Sequence, residues 1–162
     1  MKLPHPSEVL PQQPPMTLLG ELIAHSPTIT SARTTIGIAS PFADDRGRVP
    51  AFVGLEYMAQ TAAAHSGLRG RKQSEPIRIG YLLGTRRLDL MVEYFLPGQT
   101  LVTQAQEVWS DGELGSFACQ ILDEASGAVL AACTLSAFSP HTPAHEPGLR
   151  DADSSDARPK GR

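Results

Sequence analysis

The sequence has few of the features that mark secreted or membrane-spanning chains. It holds two cysteines, Cys119 and Cys133, and both lie in predicted strands, where buried free thiols are favoured over a disulfide. No apolar run approaches about 18 residues, the length that crosses a bilayer. The N-terminus is proline-rich and lacks the apolar core of a signal peptide. We therefore expect a cytoplasmic protein with no membrane partner.

The chain also has little excess charge and no metal-binding pattern. Its formal net charge is -3, which gives no electrostatic case for nucleic acid as a partner. None of the five histidines stands with cysteine or carboxylate residues at a spacing typical of metal ligands. We expect no metal site and no cofactor.

What the sequence does contain divides into three parts. Residues 1–9 are a proline-rich lead-in, which is expected to be extended or irregular. Residues 10–138 carry the apolar content of one domain, which suits a chain of 162 residues. Residues 139–162 are rich in Pro, Asp, Ser and Arg, and this composition predicts a disordered tail.

Within the domain, one apolar helix stands among strands. The helix is predicted to start at Pro50, to run to about residue 66 and to end at Gly67. Strand patterns separated by short turns cover residues 16–24, 28–38, 77–83, 87–95, 100–109, 116–122 and 129–138. Short turns favour antiparallel neighbours, and a helix that is apolar on nearly every side needs cover on most sides. The predicted fold class is α+β, with an antiparallel sheet wrapped around one long central helix.

Glu56 is the one charged residue inside this apolar helix. A carboxylate in such a setting is costly unless it is paired or protonated, which makes the residue a candidate for function. Gln60 lies one turn later and is placed to hold the carboxyl. The alternative is a structural carboxylate that is capped by an amide or paired with an arginine.

Three segments resemble motifs of the 3-hydroxyacyl-ACP dehydratases, which have the hotdog fold. The helix start VPAFVGLEYMAQ is similar to M-P-G-x-L-x-x-E/D-A-M-A/W-Q, and LPQQPPMTLLGELI is similar to L-P-H-R-x-P-x-L-L-x-D-R-V. IGYLLGTRRLDLMVEYFLPGQTLVTQAQ resembles F-x-G-I-x-x-x-R-F-x-x-x-V-x-P-G-D-x-L. The resemblance covers residues 10–138 and is strongest to the dehydratase-like subunits of aryl polyene biosynthesis. It implies a single hotdog domain.

The resemblance also implies roles for individual residues. Glu56 matches the family acid that handles the β-hydroxyl as water leaves, across a subunit interface. The backbone N–H of Ala51 matches the donor to the thioester carbonyl at the start of the helix. Gln60 and Phe42 would line the same substrate site, and Phe42 or Pro41 falls where the family has a histidine.

That histidine, in the family motif G-H-F-P-G, is missing from the corresponding loop SPFADDRGRVP. A syn elimination needs both a base and an acid, so another group must take the α-proton. Asp44 and Asp45 are near in sequence, although solvated loop acids are the favoured interpretation. Gln12 stands where the histidine of L-P-H-R would be.

The histidines that are present offer no clear replacement. At about 100° per residue, His65 points to the opposite side of the helix from Glu56, so a core or interface role is favoured. His25 ends a predicted strand and His5 lies in the lead-in. The remaining two, His141 and His145, belong to the tail.

We therefore expect dehydration of 3-hydroxyacyl-ACP to trans-2-enoyl-ACP in fatty acid or polyketide biosynthesis. The alternatives are a non-catalytic partner subunit of an active dehydratase and a hotdog acyl-thioesterase, whose helix carboxylate activates water. One expected partner is acyl carrier protein with its phosphopantetheine-bound substrate. The other is a second hotdog subunit, in a homodimer or a heterodimer. A second subunit is expected because a lone sheet leaves an edge strand exposed. A basic rim would help the acidic carrier protein to dock, and its candidates are Arg46, Arg48, Arg69, Arg71, Lys72, Arg86 and Arg87.

Overall fold

The structure, a computed structural model, describes residues 2–140. Its main feature is a six-stranded antiparallel sheet. Along the sheet the strand order is β1-β2-β6-β7-β8-β4. A separate two-stranded pair, β3 with β5, lies at the start of the helix. The strands are β1 (Glu21–His25), β2 (Ile29–Thr35), β3 (Val49–Pro50), β4 (Tyr81–Leu90), β5 (Tyr94–Phe95), β6 (Thr100–Ser110), β7 (Leu114–Asp123) and β8 (Val129–Phe138).

The long helix α1, Gly54–Lys72, follows a single 3-10 turn, Ala51–Val53, and packs on β2, β6, β7 and β8. Tyr57, Met58 and Leu68 bury its apolar face in the core against the sheet. The predicted arrangement, one long helix against a large antiparallel sheet, is confirmed. Among the described residues, no helix is long and apolar enough to cross a membrane.

The helix ends later than the sequence predicted. It passes through Gly67 and ends at Lys72. A Cβ atom at Gly67 would lie 2.2 Å from the carbonyl oxygen of Val9, so the glycine is needed for close packing of two segments. The prediction that Gly67 ends the helix is wrong because a close approach, and not a C-cap, requires the missing side chain.

Strand β4 explains why two strands were predicted at 77–83 and 87–95. It is one long strand whose pairing with β8 shifts at Gly84, where φ is 140°, and again between Thr85 and Leu88. Bulges break the alternation of side chains along a strand. The sequence pattern therefore looks like two strands with a break between them.

The proline-rich lead-in is packed against the domain. Pro6–Glu8 form a 3-10 helix, and the next residues, Val9 and Leu10, are buried in the core. His5 caps this helix, since its Nδ1 accepts from the backbone N–H of Ser7 at 3.3 Å. The expectation of an extended or irregular lead-in is thus corrected for residues 6–8, which are helical. Of the tail predicted at 139–162, residues 141–162 lie outside the described residues.

Candidate active site

One face of α1 is not covered by the sheet. Phe52, just before the helix, is 65% exposed, and Leu55, Glu56, Ala59 and Ala63 are partly exposed. Their spacing of three or four residues places them on one face. The sequence suggested a helix buried on nearly every side, and this is wrong for a single chain, because one sheet covers one side of a helix.

A cavity of about 440 Å³ lies along this open face. The helix contributes Glu56 and the small side chains of Ala59 and Ala63, which leave room beside the carboxyl. Tyr81 of β4 and Phe117 of β7 line other parts of the same cavity. Its volume lies within the range of about 300–1,000 Å³ that is typical of small-molecule sites.

Gln60 holds the Glu56 carboxyl in a fixed position. The Gln60 side chain is buried, and its Nε2 donates to Oε1 of Glu56 at 2.9 Å and to the carbonyl of Met16 at 2.8 Å. Its Oε1 accepts from the backbone N–H of Leu18 at 2.9 Å, which fixes the orientation of the amide. Oε1 of Glu56 is therefore anchored, while Oε2 has no hydrogen bond to the described residues.

The backbone N–H of Ala51 is not free. It donates to the carbonyl of Glu93 at 2.9 Å, next to the β3–β5 pair in which Pro50 is opposite Tyr94. Proline has no N–H, so the pair takes its hydrogen bond from the following residue. The N–H that the resemblance assigns to the thioester carbonyl is therefore already engaged in this structure, and Ala51 is fully buried.

Phe42 lies in the loop that corresponds to the family's histidine loop. Its side chain is 52% exposed, and its φ of 67° is in the left-handed region, which is uncommon for an aromatic residue. Phe42 is not among the residues that line the Glu56 cavity. The structure of the single chain therefore does not bring Phe42 and Glu56 into one pocket.

Asp44 organises the same loop and is fully engaged. Its Oδ1 accepts from the backbone N–H groups of Arg46 and Arg48, each at 2.9 Å. Its Oδ2 accepts from the Arg48 guanidinium, whose Cζ lies 4.1 Å from the centre of the Tyr94 ring. Hydrogen bonds from the Arg48 backbone, with further ones from its side chain, lower the pKa of Asp44. Asp45 is exposed.

No histidine within the described residues lines the cavity. His65 is fully buried on the sheet side, as its spacing predicted, and its Nδ1 lies 2.9 Å from Oγ1 of Thr30. The same hydroxyl lies 2.8 Å from Nδ1 of His25. Burial lowers the pKa of His65 to about 4, and Arg69 adds to the shift. Nε2 of His65 has no hydrogen bond among these residues and lies 3.9 Å from Oε2 of Glu107.

Several polar residues that line the cavity were not proposed as site residues from the sequence, and Gln12 and Glu107 are two of them. Gln12 lines the cavity, and its Oε1 is buried without a hydrogen bond to any described residue. Glu107 also lines it and forms an ion pair with Arg69. The sequence could have indicated Gln12, because it stands at the histidine position of the L-P-H-R motif. It could not have indicated Glu107, because a single charged residue in a strand forms no recognisable motif.

The expected basic rim is largely neutralised. Arg46, Lys72 and Arg86 make no ion pair within residues 2–140, but the other four candidates do. The pairs are Arg48–Asp44, Arg69–Glu107, Arg71–Glu8 and Arg87–Asp89. The same described residues contain no group of three His, Cys, Asp or Glu side chains that could hold a metal ion.

A large antiparallel sheet packed on one long helix, with a carboxyl and a cavity on the open helix face, defines a hotdog-fold protein. The chain belongs to the ApeP-like dehydratase family, since the model of that family, described as ApeP dehydratase, matches residues 4–147. A comparison with curated proteins gives no match.

Solved structures share the fold of this chain, and a dehydratase chain is among them. A chain of the dehydratase heterocomplex ApeI:P from Xenorhabdus doucetiae is 29% identical, with a TM-score of 0.82 over 86% of this chain and 93% of that chain. A hypothetical thioesterase with coenzyme A from Streptococcus pneumoniae is 10% identical, with a TM-score of 0.59 over 76% of this chain and 88% of that one. Zebrafish thioesterase superfamily member 2 is 12% identical, with a TM-score of 0.60 over 80% and 86%. The two thioesterases share the fold with this chain.

Proposed function

We propose that this chain is the carboxylate-bearing subunit of a dehydratase that converts 3-hydroxyacyl-ACP to trans-2-enoyl-ACP in an aryl polyene-type pathway. The observation that carries the proposal is the Glu56 carboxyl, which is anchored by Gln60 and lines a cavity of about 440 Å³. Membership of the ApeP-like dehydratase family supports the reaction type. The similar X. doucetiae protein, a dehydratase heterocomplex, supports assembly with a second subunit.

In the proposed reaction, Glu56 acts as the general acid. A base removes the α-proton, the electrons of that C–H bond form the α,β double bond, and the β-hydroxyl leaves as water after taking a proton from Glu56. Gln60 holds Oε1, so Oε2 is the oxygen that we expect to face the hydroxyl. The thioester carbonyl needs a donor other than the Ala51 amide, which is bonded to Glu93.

The base, in this proposal, belongs to the partner subunit. No described histidine lines the cavity. The carboxylate of Asp44 forms an ion pair with Arg48, so we do not assign the base to Asp44. A partner that docks along β4 would stand at the cavity, because Tyr81 and Leu82 of β4 line it together with Glu56. Two subunits would then complete one site, each with half of the acid–base pair.

The test is turnover by the assembled complex. The chain is mixed with a hotdog partner that carries the family histidine, 3-hydroxyacyl-ACP is added, and loss of water is followed by mass spectrometry. Glu56→Gln is nearly isosteric and cannot transfer the proton, so it should keep the fold and the complex but lower the rate by about 100- to 10,000-fold. Glu124→Gln, at a surface carboxylate paired with Arg33, is the matched control and should keep the rate.

Each alternative has a different outcome in this assay. If Glu56→Gln and wild type give the same rate within the complex, this chain is a non-catalytic partner and the proposal is wrong. Release of free acid in place of enoyl-ACP would identify a thioesterase.

A further inference from the structure

The two cysteines of the chain lie side by side in the core. Cys119 of β7 and Cys133 of β8 are directly opposite each other in adjacent antiparallel strands, and both are free thiols. Residues that stand opposite in such a pair share one face of the sheet, with Cβ atoms about 4.5–5.5 Å apart. The two cysteines are only 5% and 8% exposed. The fold therefore brings together two sulfur atoms from separate strands.

The backbone at this pair is close to what a disulfide requires. Opposite Cα atoms in antiparallel strands lie about 4.5 or 5.5 Å apart, within the range of about 4.4–6.8 Å that disulfides span. The Cβ separation of such a pair meets the disulfide range of about 3.5–4.5 Å at its upper end. A small approach of the two strands therefore suffices to join the sulfur atoms.

The surroundings of the two thiols differ. Sγ of Cys133 lies 3.7 Å from Sδ of Met58 on α1, and Sγ of Cys119 lies 3.7 Å from the carbonyl oxygen of Phe117. A hydrogen bond with Cys119 lowers the pKa of the Cys133 thiol. The same bond, together with burial, raises the pKa of the Cys119 thiol. Because the thiolate is the reactive form of cysteine, Cys133 is the nucleophile of the pair.

Cys133 is also the thiol nearer to an edge of the sheet. Its strand is next to the edge strand β4, and it stands opposite Leu88, where the pairing shifts between Thr85 and Leu88. A groove of about 760 Å³ at this bulge is lined by residues that include both cysteines. Segments with few buried contacts and exposed backbone hydrogen bonds open locally at a lower cost than the core. The bulge thus gives an oxidant of the size of water a route to Cys133.

We propose that Cys119 and Cys133 form an oxidisable dithiol, which hydrogen peroxide converts to an intrachain disulfide and a thiol reductant restores. In the first step the Cys133 thiolate attacks one oxygen of peroxide and the O–O bond breaks. Cys133 becomes a sulfenic acid, and the hydroxide released takes a proton to form water. In the second step the Cys119 sulfur gives up its proton and attacks Sγ of Cys133, which expels the second oxygen as water. The pair loses two electrons in all, and peroxide gains them.

The disulfide would fasten β7 to β8 beside the candidate site. Phe117 and Leu135 form the pair two residues away on the same face of these strands, and both line the Glu56 cavity. Met58, in contact with Cys133, lies two residues after Glu56 on α1. The oxidised pair would therefore stand next to both the wall and the helix of the cavity.

The mass of the intact chain after peroxide treatment tests the pair. The chain has two cysteines in all, so an intrachain disulfide can join only these two. The reduced chain in native buffer is treated with a small excess of hydrogen peroxide, quenched with catalase, unfolded in urea and alkylated. We expect the monomer to lose about 2 Da and to carry no alkyl group. Treatment with dithiothreitol before alkylation should restore both alkylated thiols.

Single variants separate the roles of the two thiols. Cys119→Ala removes the second thiol, so Cys133 should stay a sulfenic acid, which dimedone traps. Cys133→Ala removes the nucleophile, so its dimedone adduct should be smaller by about 10-fold or more. Circular dichroism checks that both variants are folded. Equal labelling of the two variants would contradict the assigned roles.

The wild-type result alone can overturn the inference. If both thiols stay free in native buffer while the urea-unfolded chain forms the disulfide in the same peroxide, the pair is an inert part of the core. Oxidation of the sulfur atoms to sulfinic acids without a link between them would also overturn it. No readout depends on turnover, so failure here is distinct from failure of the Glu56→Gln assay.

Discussion

At the scale of single residues, Gln60 accounts for the position of Glu56. A glutamine and a glutamate one helical turn apart can meet, and the sequence predicted this pair. The sequence could not show that the same amide also bonds Met16 and Leu18, which come from a distant segment of the chain. The backbone of that segment therefore sets the orientation of the amide, and through it the position of the carboxyl.

This network predicts the effect of Gln60→Met. Methionine has a similar size but makes no such hydrogen bonds, so it leaves the buried N–H of Leu18 without a partner. A buried unsatisfied group costs about 1–3 kcal/mol. We expect the free energy of unfolding in urea to fall by that amount and turnover of the complex to fall as well, since Glu56 loses its anchor. Gln106→Met, at an exposed position of β6 away from the cavity, is the control and should leave both unchanged.

At the scale of elements, α1 depends on one close approach to the N-terminal segment. Gly67→Ala would place a Cβ 2.2 Å from the carbonyl oxygen of Val9. Overpacking of this kind typically costs about 1–3 kcal/mol. We expect a lower thermal midpoint for Gly67→Ala.

Gly70→Ala is the matched control on the same helix. A Cβ there would meet Glu75 at 3.6 Å, an ordinary contact. Alanine favours the helix by up to about 1 kcal/mol over glycine, so this variant should be neutral or more stable. Equal destabilisation of both variants would contradict the packing role of Gly67.

His65 lies between α1 and the sheet, and its burial should make the free energy of unfolding depend on pH. Five other residues of α1, β1, β2 and β6 surround or face its ring: Arg69, Lys72, His25, Thr30 and Glu107. Burial, the main cause, lowers its pKa from 6.5 to about 4 in the folded state. The neutral ring therefore contributes stability that is present above pH 6.5 and lost as the pH falls towards 4, because the unfolded chain binds the proton first.

The lowered pKa of His65 corresponds to at most about 3 kcal/mol of the free energy of unfolding. The free energy of unfolding of wild type, measured in urea at several pH values, should fall more steeply over this window than that of His65→Gln. Parallel curves for the two proteins would show that His65 does not titrate as its burial implies.

At the scale of the whole molecule, the open face of α1 and the edge of β4 lie on the two sides of one cavity. A partner on β4 closes the cavity and covers apolar surface at the same time. We therefore expect a 1:1 complex with a histidine-bearing hotdog subunit at micromolar concentration, measured by light scattering. Alanine at Leu83, which is 59% exposed on β4, should weaken this complex without changing the thermal midpoint of the free chain. A chain that stays monomeric when the partner is added would contradict this assembly.

The sequence by itself determined the fold class, the central helix and the place of Glu56 and Gln60 on it. These features follow from local rules: alternation of side chains in strands, the 3.6-residue period of helices and the resemblance of short motifs. The missing histidine was also visible in the sequence, because an absent residue needs no structure to be seen.

Only the tertiary structure decided which groups are already hydrogen-bonded or in close contact with another segment. The amide of Ala51 is bonded to Glu93, Asp44 is bonded to Arg48, and Gly67 lies against Val9. The Ala51 and Gly67 contacts join segments that are far apart in sequence, and the Asp44 pair depends on the path of one loop. Local patterns carry no record of such distances, since hydrogen bonds and close approaches are set by how separate elements pack together.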